Sequence, residues 1–157
     1  VLLGSYLINE TRNMLKSVGN FDIILFKGHP LIDVDIFRDV MGKNIKVINE
    51  NIYDLFPKTS LIIGSATGSL AEAIACGVSV VVVAQKHELI TNPLTDMGKG
   101  KMWDIAFNAI EIEQKMKKLL KFRTKNMDEI KGIANWYKDN LFIEPSKENI
   151  VKTFELK

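Results

Sequence analysis

Residues 61–84, LIIGSATGSLAEAIACGVSVVVVA, decide the fold that this sequence predicts. Residues 61–63 and 78–83 are apolar runs rather than alternating patterns, as is typical of parallel strands covered on both faces. The segment between them has room for one crossover helix. We expect it over residues 69–76, because Gly77 suits the left-handed backbone at a helix C-terminus. The stretch therefore predicts a strand, a turn, a helix and a second, parallel strand.

The turn at residues 64–69, GSATGS, is small and rich in hydroxyl groups. It follows a predicted parallel strand, where open α/β sheets bind ligands and where a helix N-terminus offers N–H groups to a phosphate. A second interpretation needs no ligand, because Ser69 and Glu72 have the spacing of a Ser-x-x-Glu capping box. That box leaves Ser65 and Thr67 unused. The extra hydroxyls and the two glycines favour phosphate or diphosphate binding.

Composition restricts the class of protein. The chain has 157 residues, 46% of them hydrophobic and 25% charged, which suits one domain with a substantial core. A net charge of +2 is too small to indicate a nucleic-acid binder. The single cysteine, Cys76, excludes an internal disulfide and a cysteine-based zinc site, and we expect it to be a small core residue. These features favour a cytoplasmic protein.

The rest of the chain continues the same alternation of strands and helices. It predicts an α/β, Rossmann-like, three-layer fold with a mainly parallel sheet of about six strands and C-terminal helices. The expected strands are residues 1–3, 21–26, 45–48, 61–63, 78–83 and 102–107, and the expected helices are residues 9–18, 33–41, 51–56, 69–76, 110–122, 127–141 and 147–156. Because the chain opens inside a strand, we expect one Rossmann-like domain, 1–157, from the C-terminal half of a larger two-domain protein.

Three further stretches carry polar residues that are candidates for ligand binding or catalysis. Residues 27–30, Lys-Gly-His-Pro, follow the second strand and present two donors to the same sheet edge as the 64–69 turn, unless they form an ordinary surface turn. After Ala84 the chain passes through residues 85–88 into a long loop, 91–101, that could close over that edge. His87 and Glu88 are candidates by position alone, against a solvated loop start. The basic residues of 115–125 either contact an anionic membrane surface from the cytoplasmic side or are simply solvated.

Two of these motifs resemble a known superfamily. The turn KGHP at 27–30 and the block GSATGSLAEAIACGVSV at 64–80 resemble the C-terminal half of GT-B glycosyltransferases. In that superfamily two Rossmann-like domains face each other across a cleft, and the C-terminal one holds the nucleotide-sugar donor. The first motif looks like the His-Pro motif of bacterial sialyltransferases and the Lys-x-His-Pro of polyol-phosphate transferases. The second is similar to the donor-site turn and following Glu of many GT-B enzymes, and the order of elements matches along about the whole chain.

The resemblance implies a set of site residues. It places donor phosphates against the hydroxyls and glycine of the 64–69 turn and the ribose against an acid on the following helix. It also implies that a histidine, our candidate catalytic residue, and its neighbouring lysine hold a phosphate or the departing nucleotide, and that the first strand's end lines the same cleft. The phosphate contacts are Ser65, Thr67, Gly68 and Ser69, and the ribose contact is Glu72. The histidine and the lysine are His29 and Lys27, and Gly4 and Ser5 lie at the end of the first strand.

The implied enzyme builds surface polysaccharide or a related glycoconjugate, is inverting and metal-independent, and uses a nucleotide sugar as donor substrate without a further cofactor. Transfer develops negative charge on the leaving phosphate, which N–H groups, hydroxyls and a cation can stabilise. Two motifs of related enzymes are missing. Val80 stands where the Glu-x7-Glu motif of the retaining branch needs its second Glu. The sequence Asp33-Val34-Asp35 does not serve as the Asp-x-Asp metal motif of the other glycosyltransferase fold, because it lies at a predicted helix start. An inverting enzyme's base usually comes from the N-terminal domain, so we expect this chain to be inactive without that partner domain.

Two alternatives remain open at this stage. A sugar-nucleotide 2-epimerase shares the architecture and would need acid and base residues from both domains around the sugar. A non-catalytic binding or interaction domain could keep the fold and lack the chemistry. The sequence does not identify the nucleotide base, the sugar or the acceptor, because specificity depends on loop side chains.

Overall fold

A computed structural model describes residues 1–65, 67–85 and 92–155. It contains a six-stranded sheet in the order β3-β2-β1-β4-β5-β6, and every neighbouring pair is parallel. The strands are β1 (Leu2–Leu3), β2 (Ile24–Lys27), β3 (Ile45–Val47), β4 (Leu61–Gly64), β5 (Ser79–Val83) and β6 (Trp103–Ala106). This confirms the predicted Rossmann-like α/β fold.

Six α-helices accompany the strands in the described residues. They are α1 (Ile8–Ser17), α2 (Ile52–Leu55), α3 (Ser69–Ala75), α4 (Ala109–Lys125), α5 (Met127–Leu141) and α6 (Lys147–Thr153). Asn51 is the N-cap of α2, and its side chain accepts a hydrogen bond from the Tyr53 N–H. The helix then continues as a short 3₁₀ turn over Phe56–Lys58. Pro57 is accommodated there because the first turn of a helix needs no N–H from it.

Helices cover both faces of the sheet. On one face Met14, Leu15 and Val18 of α1 and Ile112 and Leu119 of α4 form one core cluster with alternate strand residues. On the other face α3 and α5 form a second cluster, in which Trp103 and Tyr137 are almost completely buried. The sheet is therefore a buried middle layer, which explains the apolar runs of β4 and β5.

The strand order fixes where a ligand can reach the sheet. From β1 the chain proceeds outward through β2 to β3, then returns to place β4 on the other side of β1 and continues outward to β6. Leu2 of β1 is in register with Phe26 of β2 and with Ile63 of β4. The topological switch point of the fold therefore lies between the carboxyl ends of β1 and β4, where connections leave in opposite directions.

One predicted helix is wrong. Residues 33–41 contain only a 3₁₀ turn, over Val34–Phe37. The Asp35 N–H donates to the Asp33 carboxylate at the start of this turn. This local bond stabilises a tight turn, and the β-branched Val34 and Ile36 weaken any longer helix. The turn still contributes to the core, because Phe37 is buried and packs nearly perpendicular to the Phe26 ring.

Cys76 also differs from its prediction. It is the C-cap residue of α3 and its side chain is exposed, so it is not a core residue. The neighbouring Gly77 has a φ of +80°, the left-handed conformation that was expected at this position. The helix ends before Cys76, so its side chain lies outside the buried cluster that includes Ala73 and Ile74.

Two lysines of α4 form ion pairs with an aspartate of the edge strand β6. Asp104 of β6 is buried, and its carboxylate lies 2.8 Å from the Lys115 ammonium and 3.6 Å from that of Lys118. Burial acts to raise the pKa of Asp104, but the hydrogen bonds from Lys115 and the Ile105 N–H and the two cationic charges outweigh it and hold that pKa below its ordinary value of 3.8. The ionised carboxylate therefore stabilises the folded state.

These ion pairs give a pH-dependent prediction. Because the folded pKa of Asp104 lies below the unfolded one, its contribution is fully present above the unfolded pKa and is lost as the pH falls through the folded pKa. Asp104→Asn should lower the free energy of unfolding by about 1 kcal/mol at pH 7. The difference from the original chain should shrink as the pH falls below 3.8 and the carboxylate is protonated. Urea denaturation across this pH range measures it.

A matched control is Asp96→Asn, which removes a carboxylate that is 97% exposed and 3.9 Å from the Lys99 ammonium. We expect a change of only a few tenths of a kcal/mol from it across the same pH range, since exposed pairs contribute little. An Asp104→Asn penalty that stays constant down to pH 2 would show that packing, not charge, stabilises this corner.

Candidate functional site

A cleft of about 260 Å³ opens at the carboxyl ends of β1, β2 and β4. It therefore lies beside the switch point of the sheet. We call it the edge cleft, and its lining comes from the ends of three strands, the start of α2 and the start of α3. The lining residues are Leu3, Gly4, Lys27, Gly28, His29, Pro30, Ile52, Thr67 and Ser69.

Two glycines allow the first two strand ends to approach each other. The Gly4 N–H donates to the Lys27 carbonyl at 2.9 Å, and a Cβ on Gly4 would lie 3.2 Å from the backbone nitrogen of His29. A Cβ on Gly28 would collide with a methyl group of Val34. A side chain at Gly4 would push the 27–30 turn away from β1, and one at Gly28 would displace the segment that contains Val34. The sequence motif therefore has a steric reason in addition to any role toward a ligand.

His29 is held in a defined orientation. Its Nδ1 accepts a hydrogen bond from the Leu31 N–H at 3.2 Å, and its ring meets the Tyr6 ring edge-on at 6.2 Å between centroids. When Nδ1 is an acceptor, the proton of the neutral imidazole is on Nε2. The imidazole is half-buried and lines the edge cleft, so Nε2–H is available as a donor to a bound anion.

The capping box that the sequence allowed as an alternative at α3 does not form. The N-cap is Gly68, which already has helical dihedrals, and Ser69 is the first residue of the helix. The Ser69 side chain therefore makes no cap to the helix, and Glu72 does not reach back to it. Thr67 and Ser69 instead line the edge cleft, while Gly68 between them is exposed. The Ser69 hydroxyl is therefore not used in a capping box, and the Thr67 hydroxyl had no part in one.

Ser5 and Ser65 lie behind the cleft instead of on its wall. The Ser5 N–H donates to Thr11 Oγ1, and its hydroxyl oxygen accepts from the Leu7 N–H, so its polar atoms stabilise the β1–α1 turn. The Ser65 hydroxyl donates to Glu10 Oε2 at 2.6 Å. Both serines are almost fully buried. In this structure they position the strand ends around the edge cleft.

Glu72 lines a second cleft, of about 350 Å³, between α2, α3 and α5. We call it the side cleft, and it is lined by Tyr53, Glu72, Ala75, Cys76, Lys138 and Phe142. The negative charge of Glu72 raises the pKa of Tyr53, and partial desolvation together with that charge raises the pKa of the Cys76 thiol. Cys76 is therefore held as a thiol at neutral pH, which removes it from consideration as an activated nucleophile.

The two clefts are neighbours along the chain and in space. Ile52 lines the edge cleft and Tyr53 the side cleft, while Ser69 and Glu72 are separated by one turn of α3. Residues three apart on a helix lie about 5 Å from each other on one face. The two clefts therefore lie next to each other, on either side of the starts of α2 and α3.

Sequence reasoning did not select Glu10, Tyr53 or Lys138. Each reaches the site through a tertiary contact: Glu10 meets Ser65 across 55 positions, and Lys138 arrives on α5, which packs against α3. An aromatic residue just after the Asn51 cap was the only available signal for Tyr53.

The other candidates divide into two groups. His87 and Glu88, together with Ala66 of the 64–69 turn, lie outside the described residues. Part of the basic 115–125 segment is paired, because Lys117 lies 2.5 Å from Glu113 and the Arg123 guanidinium donates to the Gly77 carbonyl. Across ranges 1–65, 67–85 and 92–155, no helix has the length and apolarity to cross a membrane, and no three His, Cys, Asp or Glu residues form a metal-binding group.

Comparison with known proteins gives no family for this chain. No protein-family model matches it, and no curated protein sequence does. What the site can do must therefore be inferred from its own residues. Those at the edge cleft supply one ammonium group, one oriented imidazole and two hydroxyls, which together suit an anionic group of the size of a diphosphate.

Proposed function

We propose that this chain binds a nucleotide-sugar donor, as the C-terminal half of a GT-B-like glycosyltransferase that builds surface polysaccharide or a related glycoconjugate. The observation that supports this most is the edge cleft itself. It lies at the switch point of a 3-2-1-4-5-6 sheet and brings Lys27, His29, Thr67 and Ser69 together from separate strand ends. This is where such sheets bind nucleotides.

In this proposal the diphosphate occupies the edge cleft. Lys27 supplies positive charge, His29 donates through Nε2–H, and the Thr67 and Ser69 hydroxyls donate to phosphate oxygens. The ribose lies one helical turn further along, where the Glu72 carboxylate accepts from its hydroxyls. The nucleoside then extends into the side cleft.

The same groups would assist transfer. When the sugar leaves, negative charge grows on the terminal phosphate, and donors already positioned around it stabilise that charge without reorganisation. A lysine, an imidazole and hydroxyls are sufficient for this role without a metal ion. An inverting reaction also needs a base beside the acceptor, which we assign to the partner domain.

Isothermal titration of the chain with UDP, CMP, CDP and GDP tests the proposal. We expect weak but selective binding of one nucleotide, and a loss of about tenfold in affinity in Thr67→Ala, because a hydrogen bond to a charged group contributes about 1.5 kcal/mol. Thr124→Ala is the matched control, since that hydroxyl donates to the Lys121 carbonyl at the exposed end of α4. It should bind nucleotide as the original chain does.

Two results would count against the proposal. Equal affinity in Thr67→Ala and the original chain would remove the edge cleft as the phosphate site. If none of the four nucleotides bound, the alternative of an interaction domain with this fold would be favoured.

A further inference from the structure

The side cleft has a composition that suits a planar heterocycle. Its two aromatic residues, Tyr53 and Phe142, are 59% and 38% exposed, so their rings are available for contact. Stacking of a base on an aromatic side chain is favourable and does not depend on the identity of the base. The volume of about 350 Å³ is adequate for a nucleoside. Selectivity must therefore come from the polar groups of the cleft.

Two of those polar groups are charged and have opposite hydrogen-bonding character. Glu72 as a carboxylate only accepts, and Lys138 as an ammonium only donates. They stand on different helices, α3 and α5, whose apolar faces are packed together through Ile74 and Ala134 among others. The cleft is therefore lined by a donor from α5 and an acceptor from α3, two helices whose backbones are fixed relative to each other by the core.

We infer that Lys138 selects uracil or guanine over cytosine or adenine by donating to the carbonyl oxygen O4 of uracil or O6 of guanine. This rests on the proposed function, in which Glu72 holds the ribose and the base continues along the side cleft. Uracil presents the O4 acceptor at the position where cytosine presents an N4 amino donor, and guanine and adenine differ in the same way at O6 and N6. An ammonium group can donate to O4 or O6, but it has no acceptor for a hydrogen bond from the N4 or N6 amino group.

The test is titration of UDP, CDP and inorganic pyrophosphate into the original chain and into Lys138→Met, which removes the charge and keeps much of the stem. The original chain should bind UDP at least fivefold more tightly than CDP. In Lys138→Met this ratio should fall below two through loss of UDP affinity. Pyrophosphate affinity should change less than twofold, which also verifies that the variant is folded.

Lys131→Met is the matched control, because Lys131 lies two turns earlier on α5 and lines a different depression with Arg123. It should keep the original preference. The inference is overturned if the original chain binds UDP and CDP equally, or if Lys138→Met weakens both to the same extent.

The same titrations separate this inference from the proposed function. Thr67-dependent binding of pyrophosphate and of both nucleotides without preference would overturn the role of Lys138 and leave the phosphate site standing. If pyrophosphate and both nucleotides failed to bind, the proposed function would fail and the inference with it.

Discussion

Gly98→Ala is expected to lower the free energy of unfolding by about 3 kcal/mol, with two physical causes. Gly98 has a φ of +75°, where an L-residue costs about 1–2 kcal/mol. A Cβ there would lie 2.7 Å from Cγ2 of the buried Ile133 on α5, and overpacking of a core costs about 1–3 kcal/mol. For a chain of this size the melting temperature should fall by about 6–12 °C.

Two other glycines separate these causes. Gly77 has a φ of +80° with nothing within 4 Å of a Cβ, so Gly77→Ala should show the backbone cost alone, about 1–2 kcal/mol. Gly132 lies inside α5 and is also free of contacts, so Gly132→Ala should raise stability by about 0.5–1 kcal/mol. Thermal denaturation of the three variants measures the backbone cost, the steric cost and the gain from a better helix former. A Gly98→Ala that is no worse than Gly77→Ala would disprove the steric contribution.

Gly98 matters because it belongs to the segment that leads into β6. The Trp103 indole N–H donates to the Met97 carbonyl, and the Tyr137 hydroxyl contacts the Thr95 and Met97 carbonyls. Burial raises the pKa of Tyr137, so the phenol remains neutral and able to donate throughout the physiological range. This network fixes the chain beneath α5, and a displaced Gly98 would disturb it.

The parts of the fold that the sequence predicted are those with a strong local pattern. The apolar runs of β4 and β5 and the glycine at position 77 define the central unit, and α5 was predicted with the bounds that it has, Met127–Leu141. In these stretches the preference of the backbone and the burial of the side chains favour the same structure. Pattern reasoning is reliable where the two agree.

Pattern reasoning is less reliable where a short polar side chain competes with the helix. At 33–41 the Asp33 carboxylate bonds the Asp35 N–H and stabilises a 3₁₀ turn. At α3 the helix begins at Ser69 as predicted, but helical dihedrals already start at Gly68, so the alternative of a Ser69–Glu72 capping box does not form. Both outcomes depend on the conformation of a single residue, which spacing alone cannot determine.

The candidate site was partly predictable for a topological reason. Residues that follow parallel strands must meet at one edge of the sheet, so Gly4, Lys27, His29 and Thr67 come together whatever the detail of the loops. The direction of each side chain was not predictable. Ser65 is turned toward Glu10, 55 positions away, and Glu72 faces a different cleft from Ser69.

His29 should have the largest effect on ligand binding, because its imidazole is the most strongly oriented donor of the edge cleft. We expect His29→Ala to weaken UDP and pyrophosphate binding by about ten- to hundredfold, the equivalent of a charge-assisted hydrogen bond of about 1.5–3 kcal/mol. Isothermal titration measures it. The melting temperature should change little, since the ring is only half-buried and its one internal hydrogen bond, from the Leu31 N–H, lies in an exposed turn.

Two conservative variants distinguish binding from turn stabilisation. An asparagine can place its amide oxygen where Nδ1 stands, so His29→Asn should preserve the bond from the Leu31 N–H and still lose affinity as His29→Ala does. A glutamine reaches the Nε2 position with an N–H donor, so His29→Gln should retain most of the affinity. The opposite order, with Asn binding well and Gln poorly, would mean that His29 acts only by shaping the 27–30 turn. In that case the positive charge of Lys27 and the Thr67 and Ser69 hydroxyls would have to hold the anion without it.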